Sequence, residues 1–590
     1  MNLLLRFLPV VVLLLSMPIL APAASIREAM PESTMLLVEL PAPQKFVDHL
    51  RTTRLGALLT DAKRIDAVLA LFKKSEDGAA WKRMLDNLAE DGLTPEDVPT
   101  LLSGRLGMAM GMPTTEERQE DKDGEVMPLV TFWIEPGEAL ITRMRDSLMQ
   151  DRPNRRHRIT KDTIAGRAVF IAESNPDYKP KDDEDEDGQD EAQILLYEGG
   201  RALCFMTSQA QLPALRTHAA TVLGRLAGDG SGGMQARLQS LPHLNTELPG
   251  ATMLDLHADH RKLLSMLDEH EREEAEKMLR AFGLDQSQGA SLRLALDAGG
   301  ILRCRMRVHL PEPHQGFSAI FDGQHVRQGE LPAWMGADLI SAGRMALSLP
   351  KLRTAIIEVF TAMQPDQAGV MVGMVEGMIA GQLGMPLATL LDAFGTDWSF
   401  GLFPDKGDAE AEVPTRMALM VDAADAETLA SFLNKLAPSM GGAIEDLDGQ
   451  VRLSFPGAEG AQLILAHKKL ILAIGEGVGD AAVANLANPP AGDAALANAA
   501  WAKRAIGLLG GSEPAIGFSI DDQSRAMEHS LDQMRTLLDE APTGLDLGEM
   551  IEAIAPAEAD LKAAFDVGAS GLRMLKDGLA IDMLFKLPAK

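Results

Sequence analysis

Residues 193–206, QILLYEGGRALCFM, and residues 462–474, QLILAHKKLILAI, are the stretches whose reading decides the fold class. Each is a pair of apolar-rich runs of strand period around a short break. In the first the break is Gly199-Gly200, the residue type that supplies the positive φ of a tight hairpin turn. Each hairpin leads into a helical pattern. Upstream, the acidic loop TTEERQEDKDGE (114–125), the strand PLVTFWIE and the helix EALITRMRDSL are answered by DKGDAEAE (405–412), RMALMVDA and AETLASFLNKL. IAGRAVFI (164–171) is answered by LDGQVRLSF (447–455), with Gly166 and Gly449 as turn residues. Downstream, GATMLDLHADHRKLLSMLDE (250–269) is answered by EPAIGFSIDDQSRAMEHSLD (513–532), and both series close on Leu-Pro, at Leu310-Pro311 and Leu587-Pro588.

Self-similarity in this order predicts an internal duplication. The expected division is a first unit over 24–312, a connector over 313–331 rich in Pro, Gly, Gln and His, and a second unit over 332–590. Strand-period runs follow one another without regular helical crossovers. That pattern predicts an α+β class, each unit a largely antiparallel sheet with helices packed on it, and disfavours a doubly wound parallel sheet.

The 590 residues carry a formal charge of −29, with 46% hydrophobic and 24% charged residues. This is globular usage, and it excludes general disorder. The acidic surface repels phosphate backbones and anionic headgroups, so nucleic-acid binding is not expected. Residues 1–25, MNLLLRFLPVVVLLLSMPILAPAAS, read as an export signal: Arg6, an apolar stretch from Leu8 to Leu20 broken by Pro9 and Pro18, then Ala21 and Ala23 as an A-x-A site. Residues 1–23 are therefore expected to be removed and the mature chain to start near Ala24. No later segment has the ~20 uninterrupted apolar residues of a membrane span. Cys204 and Cys304, a hundred residues apart in apolar strand patterns, read as inert thiols rather than a disulfide framework.

The opening MPESTMLLVEL (30–40) and RTTRLGALLTD (51–61) resemble the start of a family of exported bacterial proteins that carries a domain of unknown function, with a Pro-x-x-Thr strand and an Arg-Leu-Gly-x-Leu-Leu segment. The resemblance implies an extracytoplasmic protein without an assigned activity and supplies no catalytic motif.

Asp183-Glu184-Asp185-Glu186-Asp187-Gly188 starts like an EF-hand calcium loop, but Ile194 stands where the bidentate Glu belongs, so an acidic surface insertion is expected. Gly475-Glu476-Gly477-Val478-Gly479-Asp480 has Asp480 where a phosphate cradle needs its third glycine, and reads as a strand-to-helix turn. Gly228-Asp229-Gly230-Ser231-Gly232-Gly233 lacks the first glycine of a nucleophile elbow and reads as a linker. Arg152, Arg155, Arg156 and Arg158 read as a solvated basic loop.

His257 and His260, three apart beside Asp259, are the best metal candidates in the chain, but they lack a third ligand. Asp259 is expected instead as a helix N-cap beside two solvated histidines, His257 and His260. Gly369, Gly373, Gly377 and Gly381 recur every fourth residue among Met371, Met374 and Met378. A bare helical face of this kind serves either a close core contact or a surface for a protein partner or apolar ligand. No catalytic or cofactor-binding residue is expected. The functional expectation is an exported, non-catalytic binding or scaffolding protein of the cell envelope; the alternative is an envelope hydrolase assembled from scattered Asp, Glu and His.

Overall fold

Period-two patterning builds ten strands in the first half: β1 (Thr34–Leu40), β2 (Arg105–Gly111), β3 (Leu129–Glu135), β4 (His157–Ile164), β5 (Arg167–Ser174), β6 (Glu191–Glu198), β7 (Arg201–Ser208), β8 (Ala251–Ala258), β9 (Ala290–Leu296) and β10 (Ile301–His309). They pair antiparallel in the order β4-β5-β6-β7-β3-β2-β1-β8-β9-β10. After the short β11 (Val326–Arg327), the second half supplies β12 (Ser341–Ala346), β13 (Phe394–Phe403), β14 (Arg416–Ala423), β15 (Ala443–Leu447), β16 (Gln450–Ser454), β17 (Gln462–Ala466), β18 (Lys469–Ile474), β19 (Pro514–Ala515), β20 (Gly517–Asp522), β21 (Val567–Leu575) and β22 (Gly578–Lys586). Its order is β15-β16-β17-β18-β14-β13-β12-β20-β21-β22, the same connectivity position by position. The class is α+β. The computed structural model describes residues 26–59, 103–114, 126–150, 157–175, 191–229, 233–267, 269–404, 416–447, 449–455, 460–526 and 558–590, with isolated positions between them. The expected export signal, the 183–188 run, Arg152, Arg155, Arg156 and the centre of the 228–233 run lie outside the described residues.

The two arrays are not separate sheets. β10 and β22 pair over nine residues, from Ile301↔Lys586 to His309↔Gly578, and merge both halves into one sheet of twenty strands. The 313–331 segment is likewise no free tether. Residues Gly316–Phe321 form a 3-10 helix with Ser318 and Ile320 buried, and β11 pairs with β19 of the second half. The β10–β22 pairing joins residues 269 to 285 positions apart, and no local pattern announces such a contact.

Helices cover the sheet where its faces are apolar. On one face α1 (Pro43–Arg51) packs near β8 and β9, while α3 (Leu212–Gly224) and α4 (Met234–Ser240), following α2 (Glu138–Leu148), cover Leu37, Trp133, Ile171, Ile194 and Phe205. Trp133 lies across Gly107 of β2; a Cβ on that glycine would sit 1.9 Å from the indole ring. The chain continues through α5 (Glu269–Ala281), α6 (Leu349–Met363), α7 (Pro365–Leu383), α8 (Ala426–Ser439), α9 (Val478–Ala487) and α10 (Ala500–Leu509). A second apolar core lies under α9 and α10, around Ala342, Met420, Ile464, Ile471 and Ile520. Asp425 caps α8 by accepting from the backbone N–H of Glu427 and Thr428, both at 3.1 Å.

The hairpins quoted first behave as the sequence predicts, with one difference. Gly199 and Gly200 take φ of 60° and 75°, whereas the second hairpin turns on His467 and Lys468 at φ of 50° and 58°. The same left-handed turn is thus made there without glycine, at a cost in backbone strain.

Candidate functional site

Between the two apolar cores, the covered face of the sheet carries charge. Directly opposed residues trace one row across five neighbouring strands: Glu39 on β1, Asp255 on β8, Arg293 on β9, Arg305 on β10 and Asp582 on β22. Opposed residues share a face, so these side chains stand side by side where an ordinary sheet would carry Val or Leu. Two carboxylates organise them. Asp255, buried, accepts from Arg27 at 2.7 Å and from Arg293 Nε at 2.9 Å, and its Oδ1 lies 2.7 Å from His257 Nε2. Asn245 Oδ1 takes a second bond from each guanidinium, both at 2.9 Å. Asp582 accepts from Arg305 Nε at 2.8 Å, Arg307 at 3.1 Å and Arg573 at 2.8 Å, across the strand pair that joins the halves.

The environments set the charges. Burial opposes ionisation of Asp255, but His257, Arg27 and Arg293 outweigh it and hold its pKa far below the usual carboxylate range. Asp582 is likewise lowered: burial works against it, and its arginines prevail. Burial pushes His257 down despite the pull of Asp255.

This geometry corrects the expectation of two solvated histidines, since His257 is fully buried. His257 is not on a helix with His260: it ends the inward-facing set of β8, with guanidinium nitrogens of Arg27 and Arg293 at 3.1 Å and 3.4 Å from its Nε2, an environment that repels a cation. His260 opens the next helical turn and bonds the Leu284 carbonyl at 3.3 Å. Asp259 is the N-cap, accepting from Lys262 N–H. Among the described residues no group of three His, Cys, Asp or Glu is placed to hold a metal ion.

The Gly475–Asp480 run forms the expected turn, with Gly475 at φ 96°, Gly477 at φ 72° and Asp480 paired to Arg452 at 2.7 Å. Cys204 and Cys304 are both free; burial pushes the Cys204 thiol up to about 12 and raises that of Cys304.

His218 of α3 is half-buried against Phe205, its Nε2 2.8 Å from Thr131 Oγ1, and desolvation pushes its pKa down to about 4 from 6.5. The folded chain then binds fewer protons than the unfolded chain between those values. Stability is therefore constant above about pH 6.5 and falls as the pH drops towards 4, by about 2–3 kcal/mol for this residue. Urea unfolding at pH 7 and pH 4.5 should show His218→Gln losing less stability on acidification than the parent; equal losses would remove the assignment.

The Gly/Met helix stands apart from all of this. α6 packs between α5 and α7, and α7 touches α8. A Cβ at Gly369, Gly373, Gly377 or Gly381 would meet nothing within 4 Å, so the glycine stripe is not a close core contact within the chain. Val370, Met374, Val375 and Met378 of α7, Ile356, Phe360 and Met363 of α6, and Met278 and Phe282 at the end of α5 are 38% to 73% exposed. Met371 is half-buried. Glu376, the one charged residue between Ala368 and Leu383, is turned back onto α6, accepting from Arg353 Nε at 2.6 Å.

Two open polar clefts flank the 313–331 segment. One, of about 550 Å³, is lined by Gln324, His325, Arg344, Ser348, Lys351 and Asp397, where Arg344 grips Asp397 through two bonds of 2.8 Å. The other, of about 450 Å³, is lined by Arg280, His314, Gln315 and Glu358, with His314 Nδ1 bonded to Asp322.

No protein-family model and no curated protein matches the chain. Among solved structures, crystal forms III and I of TP0453 align with TM-scores of 0.24 and 0.23 at 8% and 9% identity, covering 51% of this chain and 85% of that one. Similarity at that level carries no assignment of fold or function.

Sequence reasoning reached the glycine stripe but missed the charged row. A signal for the row was present: Asp255 and His257 fall on the inward parity of ATMLDLHA, where only polar residues with committed partners belong.

Proposed function

We propose that this chain is an exported, non-catalytic protein of the cell envelope that works by binding, and that its contact surface is the outer face of α5, α6 and α7. One observation carries the reading: nine large apolar side chains stand exposed over three adjacent helices of an otherwise strongly acidic chain. Patches of this extent mark interaction surfaces rather than ordinary surface scatter. The charged row does not compete for the role, because its two organising carboxylates, Asp255 and Asp582, are already engaged by arginines within the fold.

The hydrolase alternative has its best footing in the cleft beside His314, which is lined by Glu358 and by His314, itself bonded to Asp322. The residues lining that cleft include no Ser, Thr or Cys to act as nucleophile, and in the other cleft the Ser348 Oγ is engaged as the N-cap of α6, accepting from the Lys351 N–H, which favours the binding reading. Export rests on residues 1–23 and is proposed on sequence grounds, as is duplication as the origin of the matching strand orders.

Capture from native envelope extract with the mature chain tests the function. Met374→Glu and Phe360→Glu should each abolish the captured partner while leaving the melting temperature unchanged. Retention of the same partner by both variants would refute this surface.

A further inference from the structure

We infer that the occupant of the α7 face is a second copy of this chain, the two α7 helices packing antiparallel about a two-fold axis near Val375. The inference rests on the binding reading above and specifies its partner.

Three features point to self-pairing. The first is symmetry. The four glycines are placed evenly about position 375, so an antiparallel copy sets Gly369 opposite Gly381 and Gly373 opposite Gly377. A two-fold interface requires such self-matching, and bare backbone on both sides lets the helices approach closely. The exposed Val370, Met374 and Met378 flank this groove and supply ridges for the other copy.

The second is extent. A stable interface needs on the order of 800 Å² from each partner. A helix of 19 residues is about 28 Å long. Together with the Ile356, Phe360 and Met363 stripe of α6, its free face offers exposed apolar surface of that order.

The third is charge. From Ala368 to Leu383 the face of α7 carries none, because Glu376, the charged residue of that stretch, is held by Arg353. The acidic helix of the layer is α5, with Glu269, Glu271, Glu273, Glu274 and Glu276, and it lies beyond α6. An anionic bilayer laid on the same layer would meet those carboxylates directly.

Sedimentation equilibrium of the mature chain tests the inference. The parent should dimerise in the micromolar range. Met374→Glu, which buries a charge in the interface, and Gly377→Leu, which blocks close approach, should each weaken dimerisation by at least about tenfold. Both positions are open to solvent, so circular dichroism and melting temperature should match the parent, and Met440→Glu, outside this face, should leave dimerisation unchanged. A parent that stays monomeric, or a dimer indifferent to both substitutions, overturns self-pairing. A monomeric parent that nevertheless captures an envelope protein, and loses it on Met374→Glu, overturns self-pairing alone and leaves the binding surface standing. A monomeric parent that co-sediments with neutral phosphatidylcholine vesicles overturns it in favour of lipid.

Discussion

Replacing Asp255 with Asn should cost the protein about 3–5 kcal/mol, the loss expected when one partner of a buried ion cluster is removed. The amide keeps the shape but withdraws the only carboxylate shared by Arg27, Arg293 and His257. Two guanidiniums then face each other across a site with the neutral Asn245 as common acceptor. Thermal unfolding should fall by on the order of 10 °C. The triple replacement Arg27→Met, Asp255→Leu, Arg293→Met removes the charges together and should recover much of the loss, because desolvation no longer has to be offset. A single substitution without effect would show that the cluster is open to water rather than enclosed. The site also ties down the start of the described chain: Arg27 is held there while Ile26 and Met30 are fully buried, so removal of residues 24–30 should be as damaging as loss of Asp255.

A loss of similar size, about 3 kcal/mol, is expected for Asp582→Asn, with a different signature. Asp582 receives Arg305 and Arg307 from the first half and Arg573 from its own. Without the carboxylate three cations crowd the β10–β22 joint, and Glu513 relieves only Arg573. The joint should open before either core does. Amide hydrogen exchange should therefore rise first along residues 301–309 and 578–586, while amides in β6, β7, β17 and β18 stay protected. Uniform acceleration across all twenty strands would show that the halves unfold as one unit and that the joint is no weaker than the cores.

The strand content, the antiparallel class and the position of the tight turn at Gly199-Gly200 were legible in the sequence because they depend on neighbours two to four residues away. Alternation decides which face a residue occupies, and glycine decides where a chain can reverse with positive φ. The same locality explains the N-cap at Asp259 and the rejection of the Gly475–Asp480 run as a phosphate cradle. The repeated order of elements was also readable, since order is a property of the chain itself.

What only the tertiary structure decided depends on residues brought together from far apart. The nine-residue pairing of β10 with β22 turns two arrays into one sheet, and nothing near residues 301–309 names strand 578–586 as its neighbour. His257 shows the same limit from the other side. Its spacing to His260 suggested a shared helical face, but the strand continues through Ala258, and parity turns His257 inward to Asp255. The glycine stripe, finally, fits a buried contact and an open one equally well as sequence. The packing of α7 against α6 on its opposite side, with Arg353 drawing Glu376 away, is what leaves the glycines facing solvent.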